Sequence, residues 1–586
     1  MRQWMVAAKK ADFYAIAEKF HVDPVVARII RNREVIGEKN IRIYLGGNLS
    51  DLSDPHQMKD MDRLVEILAQ KIRKQVHIRI IGDYDVDGVT SSHLFLTALR
   101  RVGAKVDVVI PHRIQDGYGL SLHLLQQAKE DGVDTILTCD NGIAAIDEIA
   151  WAKAQKMTVL VTDHHAVPFE EHEGRRTEKK SLADAVVNPH QQDCGYPYKE
   201  LCGAGVAWNV IRVLYENYDM DKREAEDLLD FVAMATVCDV MSLTGENRIL
   251  VKEGLKRIRH TKNIGLQALM QACNVQQENI SAYHFGYVLG PCVNATGRLD
   301  TARHALRLFE TGQETEAEEI ARDLVDLNQE RKELTLQGVE MAKKLCEEGG
   351  YENDPVLVLF LPDVHESIAG LIAGRIREMY NRPVFVLTRG EEGVKGSGRS
   401  TENYSMYENM CGCAELFTKF GGHPMAAGLS LPEENVEKFR RKINENCPLT
   451  VEEVCPDIHI DMAMPVGYAS TELVHQFALL EPFGKDNPSP LFADRNLSIS
   501  RMWVIGKNRN VLRMSVLSEY GQPVPVIFFG DVETLFAYFT EKFGQKEVEN
   551  ALHGRKNRIL FSMVYTAKID FYQGNENLQL EMKYYR

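Results

Sequence analysis

Three short clusters of acidic and histidine residues lie between residues 82 and 165 of this 586-residue chain. They read DYDVDG at 83–88, CDNG at 139–142 and DHH at 163–165, and a further carboxylate, Asp239, follows the apolar run 231–238. Carboxylates and imidazoles are the side chains that hold hard or borderline divalent cations. Two such cations about 4 Å apart can clamp the attacking and leaving oxygens of a phosphodiester. The clusters therefore predict metal-dependent hydrolysis of a phosphodiester.

Each cluster directly follows a short run of apolar and β-branched residues, at 76–81, 134–138 and 157–161. Helical patterns lie between these runs, at 89–102 and 144–156. Strands that alternate with helices predict parallel βαβ units, and in such sheets ligands bind beyond the carboxyl ends of the strands. We therefore expect three clusters that are distant in sequence to converge on one crevice.

Taken singly, each cluster has a simpler interpretation. The spacing of aspartates that begins at Asp83 also begins an EF-hand loop, but the twelfth position, which should be glutamate, is Leu94. An Asp-Asn-Gly string is typical of a turn, and paired histidines often lie on a surface. Because all three clusters lie at the ends of strands, one shared functional site is favoured over three unrelated features.

The clusters and several strings downstream resemble the DHH phosphoesterase superfamily and, within it, the RecJ family. The resemblance rests on the Asp-His-His string at 163–165, on DVDG at 85–88 and on Gly-Gly-His at 421–423. Further matching strings lie at 187–189, 201–207, 294–298, 395–400 and 481–484. It extends from about residue 40 to near the end of the chain.

The resemblance implies an α/β fold, in which a parallel-sheet DHH domain is joined by a long helix to a smaller α/β DHHA1 domain. A C-terminal OB-like β-barrel follows. The length of the chain also requires more than one domain. We expect an N-terminal helical lead-in, the DHH catalytic domain, a connecting helix, the DHHA1 domain and an OB-like nucleic-acid-binding domain, at 1–40, 41–300, 301–348, 349–450 and 455–586. The charged segment 170–180 is expected to be an exposed loop, and residues 221–237 are expected to form one helix.

Together with the spacing, the family pattern assigns the ligands of two divalent cations, Mn²⁺ or Mg²⁺. They are Asp85, Asp87, Asp140, His164 and Asp239. Asp140 is expected to bridge the two cations, because a central strand places it between the outer sets.

Other residues of the clusters have supporting roles in this assignment. His165 is assigned to catalysis together with Asp140 and is expected to contact the scissile phosphate or to stabilise its developing charge. Asp83 and Asp163 are expected to orient ligands. Many relatives have a histidine where this chain has Ile81. We therefore expect one cation to bind more weakly.

The substrate is expected to bind in the cleft between the DHH and DHHA1 domains. Glycine-rich turns there let backbone N–H groups approach a phosphate, and an arginine can add a bidentate contact. The residues assigned to substrate binding are Arg113, Arg298, Ser397, Arg399 and His423. Of these, Arg113, Ser397 and Arg399 are placed around a 5′-terminal phosphate. A surface salt bridge is the alternative for Arg399.

The tail beyond residue 455 has short β-type runs separated by turns, a pattern that suits a small barrel. Basic residues lie there among aromatic and apolar ones: Arg501, Lys507, Arg509 and Arg513 with Trp503 and Met514. Such a mixture suits the binding of a single strand. A solvated charged face of the barrel explains it equally well.

The composition is that of an ordinary soluble globular protein, with 44% hydrophobic and 26% charged residues. Neither a membrane span nor a signal peptide is expected. Eleven scattered cysteines predict neither a disulfide framework nor a zinc ribbon and favour the reducing cytoplasm. The net charge of −15 argues against a protein that coats nucleic acid. It allows a nuclease, because bound cations reverse the local field.

The resemblance and the site together predict a single-stranded-DNA-specific 5′→3′ exonuclease. It would release 5′-mononucleotides by two-metal hydrolysis and act in DNA repair and recombination. One alternative is a DHH phosphodiesterase that degrades short oligoribonucleotides or cyclic dinucleotides, although such relatives are generally shorter and lack a C-terminal barrel. The other is a non-enzymatic DHH scaffold, which would have lost ligands. We also expect a monomer that works with single-stranded-DNA-binding protein and a RecQ-type helicase.

Overall fold

The computed structural model describes residues 3–113, 116–117, 119–172, 175–351, 353–390, 393–455, 457–506, 510–572 and 574–586. These residues form two compact units. The larger is built from Leu52–Pro456, and the smaller from Gln3–Asp51 together with Asp457–Arg586.

The strands and helices of the described residues are numbered in chain order. The strands are β1 (Trp4–Val6), β2 (His77–Ile81), β3 (Lys105–Val109), β4 (Thr135–Cys139), β5 (Thr158–Thr162), β6 (Phe169–His172), β7 (Arg175–Glu178), β8 (Ala185–Val187), β9 (Leu357–Phe360), β10 (Val384–Arg389), β11 (Val394–Arg399), β12 (Lys419–His423), β13 (Ala426–Leu431), β14 (Ile458–Ile460), β15 (Met462–Ala463), β16 (Phe492–Ile505), β17 (Val511–Leu517), β18 (Pro523–Phe528), β19 (Leu560–Tyr572) and β20 (Asn575–Tyr585). The helices are α1 (Phe13–Phe20), α2 (Pro24–Asn32), α3 (Glu38–Gly46), α4 (Met61–Arg73), α5 (Val86–Arg101), α6 (Leu122–Glu130), α7 (Ile146–Ala154), α8 (Gly203–Asn217), α9 (Lys222–Glu226), α10 (Leu229–Cys238), α11 (Gly245–Ile258), α12 (Ile264–Ala272), α13 (Ala282–His284), α14 (Gly290–Leu299), α15 (Arg303–Glu310), α16 (Glu314–Glu348), α17 (Glu366–Tyr380), α18 (Met406–Cys411), α19 (Val436–Glu445), α20 (Thr471–Gln476), α21 (Val532–Phe543) and α22 (Gln545–Leu552).

The first part of the larger unit is a parallel sheet with the strand order β3-β2-β4-β5-β8. Its inner strands are apolar on both faces, as Ile136 and Leu137 show, because helices cover the sheet on both sides. Helices α8 and α10 pack against α5. The predicted parallel α/β fold is confirmed. Since β4 is the central strand, Asp140 leaves the sheet from its middle.

Two local predictions in this part are wrong. The segment 170–180 is not simply a loop, because β6 and β7 pair there as an antiparallel hairpin. A hairpin satisfies its backbone groups without an apolar face, so a hydrophobic pattern does not reveal it. The helix expected over 221–237 is divided into α9 and α10, and Asp221 caps the N-terminus of α9.

A long helix connects this part to the second sheet of the larger unit. The prediction of one helix from 301 to 348 is corrected to two, α15 and α16, with an extended Thr311 between them. The 35 residues of α16 span about 52 Å. This helix packs against α12 and α14 on one side of the connection and against α17 on the other.

The second sheet of the larger unit has the order β12-β13-β11-β10-β9. Strands β9 and β10 are parallel, and the remaining neighbours are antiparallel. Helix α17 packs on one face over β10 and β11. The apolar side chains of the opposite face form a core with residues of α18 and α19, among them Met406 and Phe439.

The smaller unit is a β-barrel. Its sheet runs β15-β16-β17-β18-β20-β19, and an additional pairing of β16 with β19 closes it. This confirms the OB-like barrel. The N-terminal residues, which the sequence analysis treated as a lead-in, belong to the same unit: Val26 and Ile30 of α2 and Tyr44 of α3 are buried in the barrel's core. Strand β1 also pairs with β14.

None of the helices in the described parts of the chain combines the length and the apolar character needed to cross a membrane.

Candidate metal centre and substrate cleft

The ends of three neighbouring strands bring the acidic clusters together. Strand β2 leads into Asp83, and Asp85 caps α5, where its side chain accepts a hydrogen bond of 3.0 Å from the N–H of Gly88. Strand β4 leads into Asp140, which is buried and has a φ of 60°. Strand β5 leads into the buried pair Asp163 and His164. The predicted convergence of strand ends is thus what the structure shows.

Helix α8 fixes one of the carboxylates. The N–H groups of Gly203 and Ala204 donate hydrogen bonds of 2.6 and 2.8 Å to the two carboxylate oxygens of Asp87. The first N–H groups of a helix have no partner within it and carry its positive end, so they favour an ionised carboxylate. Gly203 allows this approach, because a β-carbon there would lie 2.6 Å from Cβ of Asp140. This contact was not predicted, because backbone N–H groups leave no side-chain pattern in the sequence.

His164 lies at the centre of the cluster. Its Nε2 is 3.0 Å from Oδ1 of Asp140 and 3.6 Å from an oxygen of both Asp87 and Asp239. Within the described part of the chain, the candidate ligand atoms form three groups, each within 4.8 Å: Asp83, Asp85 and Asp140; Asp87, His164 and Asp239; and Asp140, His164 and His165. All five residues predicted to bind cations therefore lie in one cluster.

The electrostatics of the cluster fit divalent cations. Removal from water is the main cause that raises the pKa of Asp83, Asp85 and Asp140, and the neighbouring carboxylates raise it further. In addition, Oδ1 of Asp83 is buried and accepts no hydrogen bond from any described residue. Oxygen-rich sites with one or two imidazoles suit Mn²⁺ or Mg²⁺. Asp83, to which only an orienting role was assigned, is thus placed like a ligand.

Asp163 holds His165 in place. Its Oδ1 accepts hydrogen bonds from the backbone N–H groups of His164 and His165, at 2.7 and 3.0 Å, and lies 2.8 Å from Nδ1 of His165. Its Oδ2 accepts from the N–H of Ile143. Burial lowers the pKa of His165, but the bond to Asp163 and its charge outweigh this and raise the pKa to about 9. Asp163 therefore holds the imidazole ring of His165 beside Asp140.

A cavity of about 440 Å³ separates the first part of the larger unit from its second sheet. Tyr84 and Arg113 line it from one side, with the Arg113 guanidinium 4.8 Å from the centre of the Tyr84 ring. Ser367 of α17 and residues of β11, β12 and β13 line it from the other: Lys395, Gly396, Ser397, Lys419, Phe420, Gly421, Gly428, Leu429 and Ser430. This cavity is the cleft that the sequence analysis expected.

Of the five residues predicted to bind substrate, Arg113 and Ser397 line this cavity. Arg298 donates a hydrogen bond of 2.6 Å to the carbonyl of Ser367, which also lines it. Arg399 donates to the carbonyl of Gly398. His423 is exposed at the end of β12, two residues beyond Gly421.

The arginines of this region lie close enough to repel one another. Burial, followed by the charge of neighbouring arginines, lowers the pKa of Arg298 to about 10. Burial also lowers the pKa of Arg399, with smaller contributions from Arg377 and Arg113. Cations held together in this way favour an anionic ligand such as a phosphate.

In the barrel, Arg501 lies 5.7 Å from the ring of Trp503, and Trp503 faces Arg513 across the β16–β17 ladder. All three side chains are exposed. Met514 is buried in the core and does not belong to this surface. Lys507 and Arg509 lie outside the described residues.

Comparisons with known proteins agree with this architecture. The model of the DHH family N-terminal domain matches residues 77–236, that of the DHHA1 domain residues 353–447, and that of the RecJ OB domain residues 460–584. The single-stranded-DNA-specific exonuclease RecJ of Haemophilus influenzae is 32% identical over 582 residues, which cover 96% of each protein. The Bacillus subtilis protein of the same name is 33% identical over 512 residues, which cover 87% of this chain and 63% of that protein. Among solved structures, RecJ of Thermus thermophilus in complex with Mn²⁺ has a TM-score of 0.81 and 25% identity, and the match covers 100% of this chain and 79% of that one.

Proposed function

Since this chain belongs to the RecJ family, we propose that it is a single-stranded-DNA-specific exonuclease that removes 5′-mononucleotides in the 5′→3′ direction. The observation that carries this proposal is the convergence of Asp85, Asp87, Asp140, His164 and Asp239 within one cluster. Relatives that match over nearly their whole length bear the name of such an exonuclease. We infer that these five residues bind two divalent cations and that Asp83 assists them.

Two divalent cations bound there would polarise the phosphodiester and lower the pKa of the attacking water. The protein's own residues hold the reacting groups still. The N–H groups of Gly203 and Ala204 fix the carboxylate of Asp87, and Asp163 fixes the imidazole ring of His165. His165 then stabilises the charge that develops on the scissile phosphate. Water adds to the phosphorus and the bond to the 3′-oxygen of the first nucleotide breaks, so that a 5′-mononucleotide leaves.

The direction of degradation depends on recognition of the 5′ end. Arg113 and Ser397 line the cavity, and Arg298 and Arg399 lie close to Arg113. We assign to these four residues the binding of the 5′-terminal phosphate, with His423 near the path of the strand. An arginine contact of this kind is charge-assisted and roughly twice as strong as a neutral hydrogen bond.

The cellular setting follows from the family. We expect the protein to act in the cytoplasm, in DNA repair and recombination, as a monomer. Single-stranded-DNA-binding protein and a RecQ-type helicase are the expected partners, because the helicase produces single strands and the binding protein holds them. The barrel of the smaller unit would add affinity for the single strand through the exposed face that carries Arg501, Trp503 and Arg513.

The proposal is tested with single-stranded DNA and RNA of equal length and sequence, labelled at either the 5′ or the 3′ end. We expect the 5′ label of DNA to leave as a mononucleotide in the first turnover, while the 3′ label remains on progressively shorter strands. Excess chelator should abolish this activity and added Mn²⁺ should restore it. Release of the 3′ label first would refute the direction. Faster cleavage of short RNA than of DNA would favour the oligoribonucleotide phosphodiesterase instead.

A further inference from the structure

The second sheet of the larger unit presents an ordered row of cations to the cleft. Strand β13 lies between β11 and β12, and its Ser430 pairs with Lys395 on one side and with Lys419 on the other. The next row on the same face, two residues along, joins Ser397, Gly428 and Gly421. We refer to Lys395, Ser430 and Lys419 as the lysine row.

The lysine row is accessible from the cleft. Helix α17 packs on β10 and β11, and all three members of the row line the cavity together with Ser397, Gly421 and Gly428. The two glycines keep the floor of the cavity low. Among the described residues, a β-carbon at Gly421 would meet no heavy atom within 4 Å, and one at Gly428 would meet only the carbonyl of Gly396, at 3.9 Å. Packing therefore does not require glycine at either position, and the bare backbone leaves room for a ligand.

The charge of the row suits an anion. Glu366 holds Lys395 in an ion pair of 2.8 Å at the edge of the cavity. Lys419 is exposed and forms no ion pair with any residue that the structure describes. Ser430 lies between Lys395 and Lys419 in the strand register. A phosphate could accept hydrogen bonds from Lys419, from Lys395 and from the hydroxyl of Ser430. Gly421 and Gly428 leave space for it beside them.

The position of the row indicates which phosphates it would bind. Along β11, alternate residues on this face are Arg399, Ser397 and Lys395, about 6.8 Å apart. Arg399, at one end of this series, is close enough to Arg113 and Arg298 for their charges to interact. Lys395 and Lys419 thus lie beyond Ser397, on the side away from Arg399. If the α-phosphate of a strand's 5′ end binds at Ser397 and Arg399, the lysine row is positioned to bind further phosphates attached to that α-phosphate.

We propose that the lysine row binds the β- and γ-phosphates of a strand that carries a 5′-triphosphate, and that the enzyme degrades such strands from that end. This inference rests on the proposed exonuclease function and names a class of substrate end for it. One water is consumed: its hydroxyl joins the phosphorus of the first internucleotide bond, and its proton goes to the departing 3′-oxygen. The products are a nucleoside 5′-triphosphate and a strand, shorter by one nucleotide, that carries a 5′-monophosphate.

The experiment uses the full chain with Mn²⁺ and three single strands of one sequence, bearing a 5′-triphosphate, a 5′-monophosphate or a 5′-hydroxyl. Ion-exchange chromatography identifies the first nucleotide released, and kcat/KM is measured for each end. The wild-type protein should release a nucleoside triphosphate from the first strand. Lys419→Ala should lower the ratio of triphosphate to monophosphate kcat/KM by about tenfold, the size expected for loss of one charge-assisted contact.

Two further variants make the experiment specific. Lys419→Arg keeps the charge and should keep most of the ratio. Lys438→Ala removes an exposed lysine of α19, which among the described residues bonds only Asn435, and should leave the ratio unchanged. Thermal melting shows that each variant is folded. The inference is overturned if the wild-type protein releases no nucleoside triphosphate. Equal losses by Lys419→Ala on all three ends would also overturn it, because they would place an internal phosphate at the row. If the monophosphate strand is not degraded either, the proposed function itself fails.

Discussion

The cluster of candidate metal ligands and the lysine row lie in the same unit but differ in burial and in how firmly their side chains are held. In the cluster, buried carboxylates are held by backbone N–H groups, as Gly203 and Ala204 hold Asp87. In the row, long cationic side chains stand on an open sheet face, and Lys419 is exposed. Chemistry needs groups fixed within a fraction of an ångström, whereas recognition of a phosphate tolerates mobile cations. Substitutions in the cluster should therefore cost far more activity than substitutions in the cleft.

The largest effect is expected for Asp140→Asn. Asp140 belongs to two of the three groups of candidate ligands, so its loss should weaken both cation sites and lower kcat by at least ~10³-fold. The matched control is Asp147→Asn, an exposed aspartate in the first turn of α7, which should retain activity. The measurement is single-strand degradation at saturating Mn²⁺. Near-normal turnover by a folded Asp140→Asn protein would refute its role as a ligand.

A smaller but still large effect is expected for Gly203→Ala. The added β-carbon would lie 2.6 Å from Cβ and 2.9 Å from Oδ1 of Asp140, so one of the two must move. Displacements of about 1 Å at a reacting centre can cost ~10²-fold in rate. Gly205→Ala makes the same change one half-turn later, where the nearest atom is 3.4 Å away, and should have little effect. Equal activity of the two variants would show that the cluster of candidate ligands tolerates a displacement of Asp140.

The sequence predicts which residues meet in the cluster of candidate metal ligands better than it predicts which residues meet in the cleft, for a physical reason. Parallel strands end at one edge of a sheet, so the positions of Asp83, Asp140 and Asp163 after apolar runs are enough to bring them together. What holds them was not predictable. The N–H groups of Gly203 and Ala204 carry no side-chain pattern, and their contact with Asp87 depends on how α8 packs against α5.

The lysine row could not be predicted from the alternation of polar and apolar residues along each strand. Lys395, Lys419 and Ser430 each have a predictable face within a strand, but their neighbours depend on the order of strands and on register. The same holds for the N-terminal helices. The apolar positions Val26 and Ile30 predict a buried helix face, whereas the barrel against which it packs begins more than four hundred residues later.

In the cleft itself, Arg399→Ala should have an intermediate effect. Loss of a charge-assisted contact to a terminal phosphate should reduce degradation of 5′-phosphorylated strands by about ten- to a hundredfold. Strands with a 5′-hydroxyl should be affected less. Arg375→Ala, an exposed arginine of α17 paired with Glu378, is the control. Equal losses on both ends would argue that Arg399 supports the fold of the cleft rather than the terminal phosphate.

The smallest effect is expected in the barrel, whose described residues include none of the candidate ligands. Deleting residues 457–586 is not a clean test, because Val26, Ile30 and Tyr44 would lose the core in which they are buried. Substitutions on the surface avoid this problem. Arg501 and Arg513 flank Trp503 on an exposed face, and both the binding of a strand and a merely solvated surface explain this arrangement.

The double variant Arg501→Glu and Arg513→Glu separates these two explanations. If the face tracks a strand, losing two phosphate contacts should weaken binding of long single strands several-fold and make the slope of log K against log salt shallower by about 1.4. The rate of cleavage at saturating substrate should change little, since the candidate ligands of the described chain all lie in the larger unit. Lys542→Glu with Lys546→Glu makes the same change of charge on α21 and α22 and serves as the control. If both double variants bind single strands as the unaltered protein does, with the same salt slope, then the face around Trp503 is a solvated surface and the grip on the strand lies in the cleft alone.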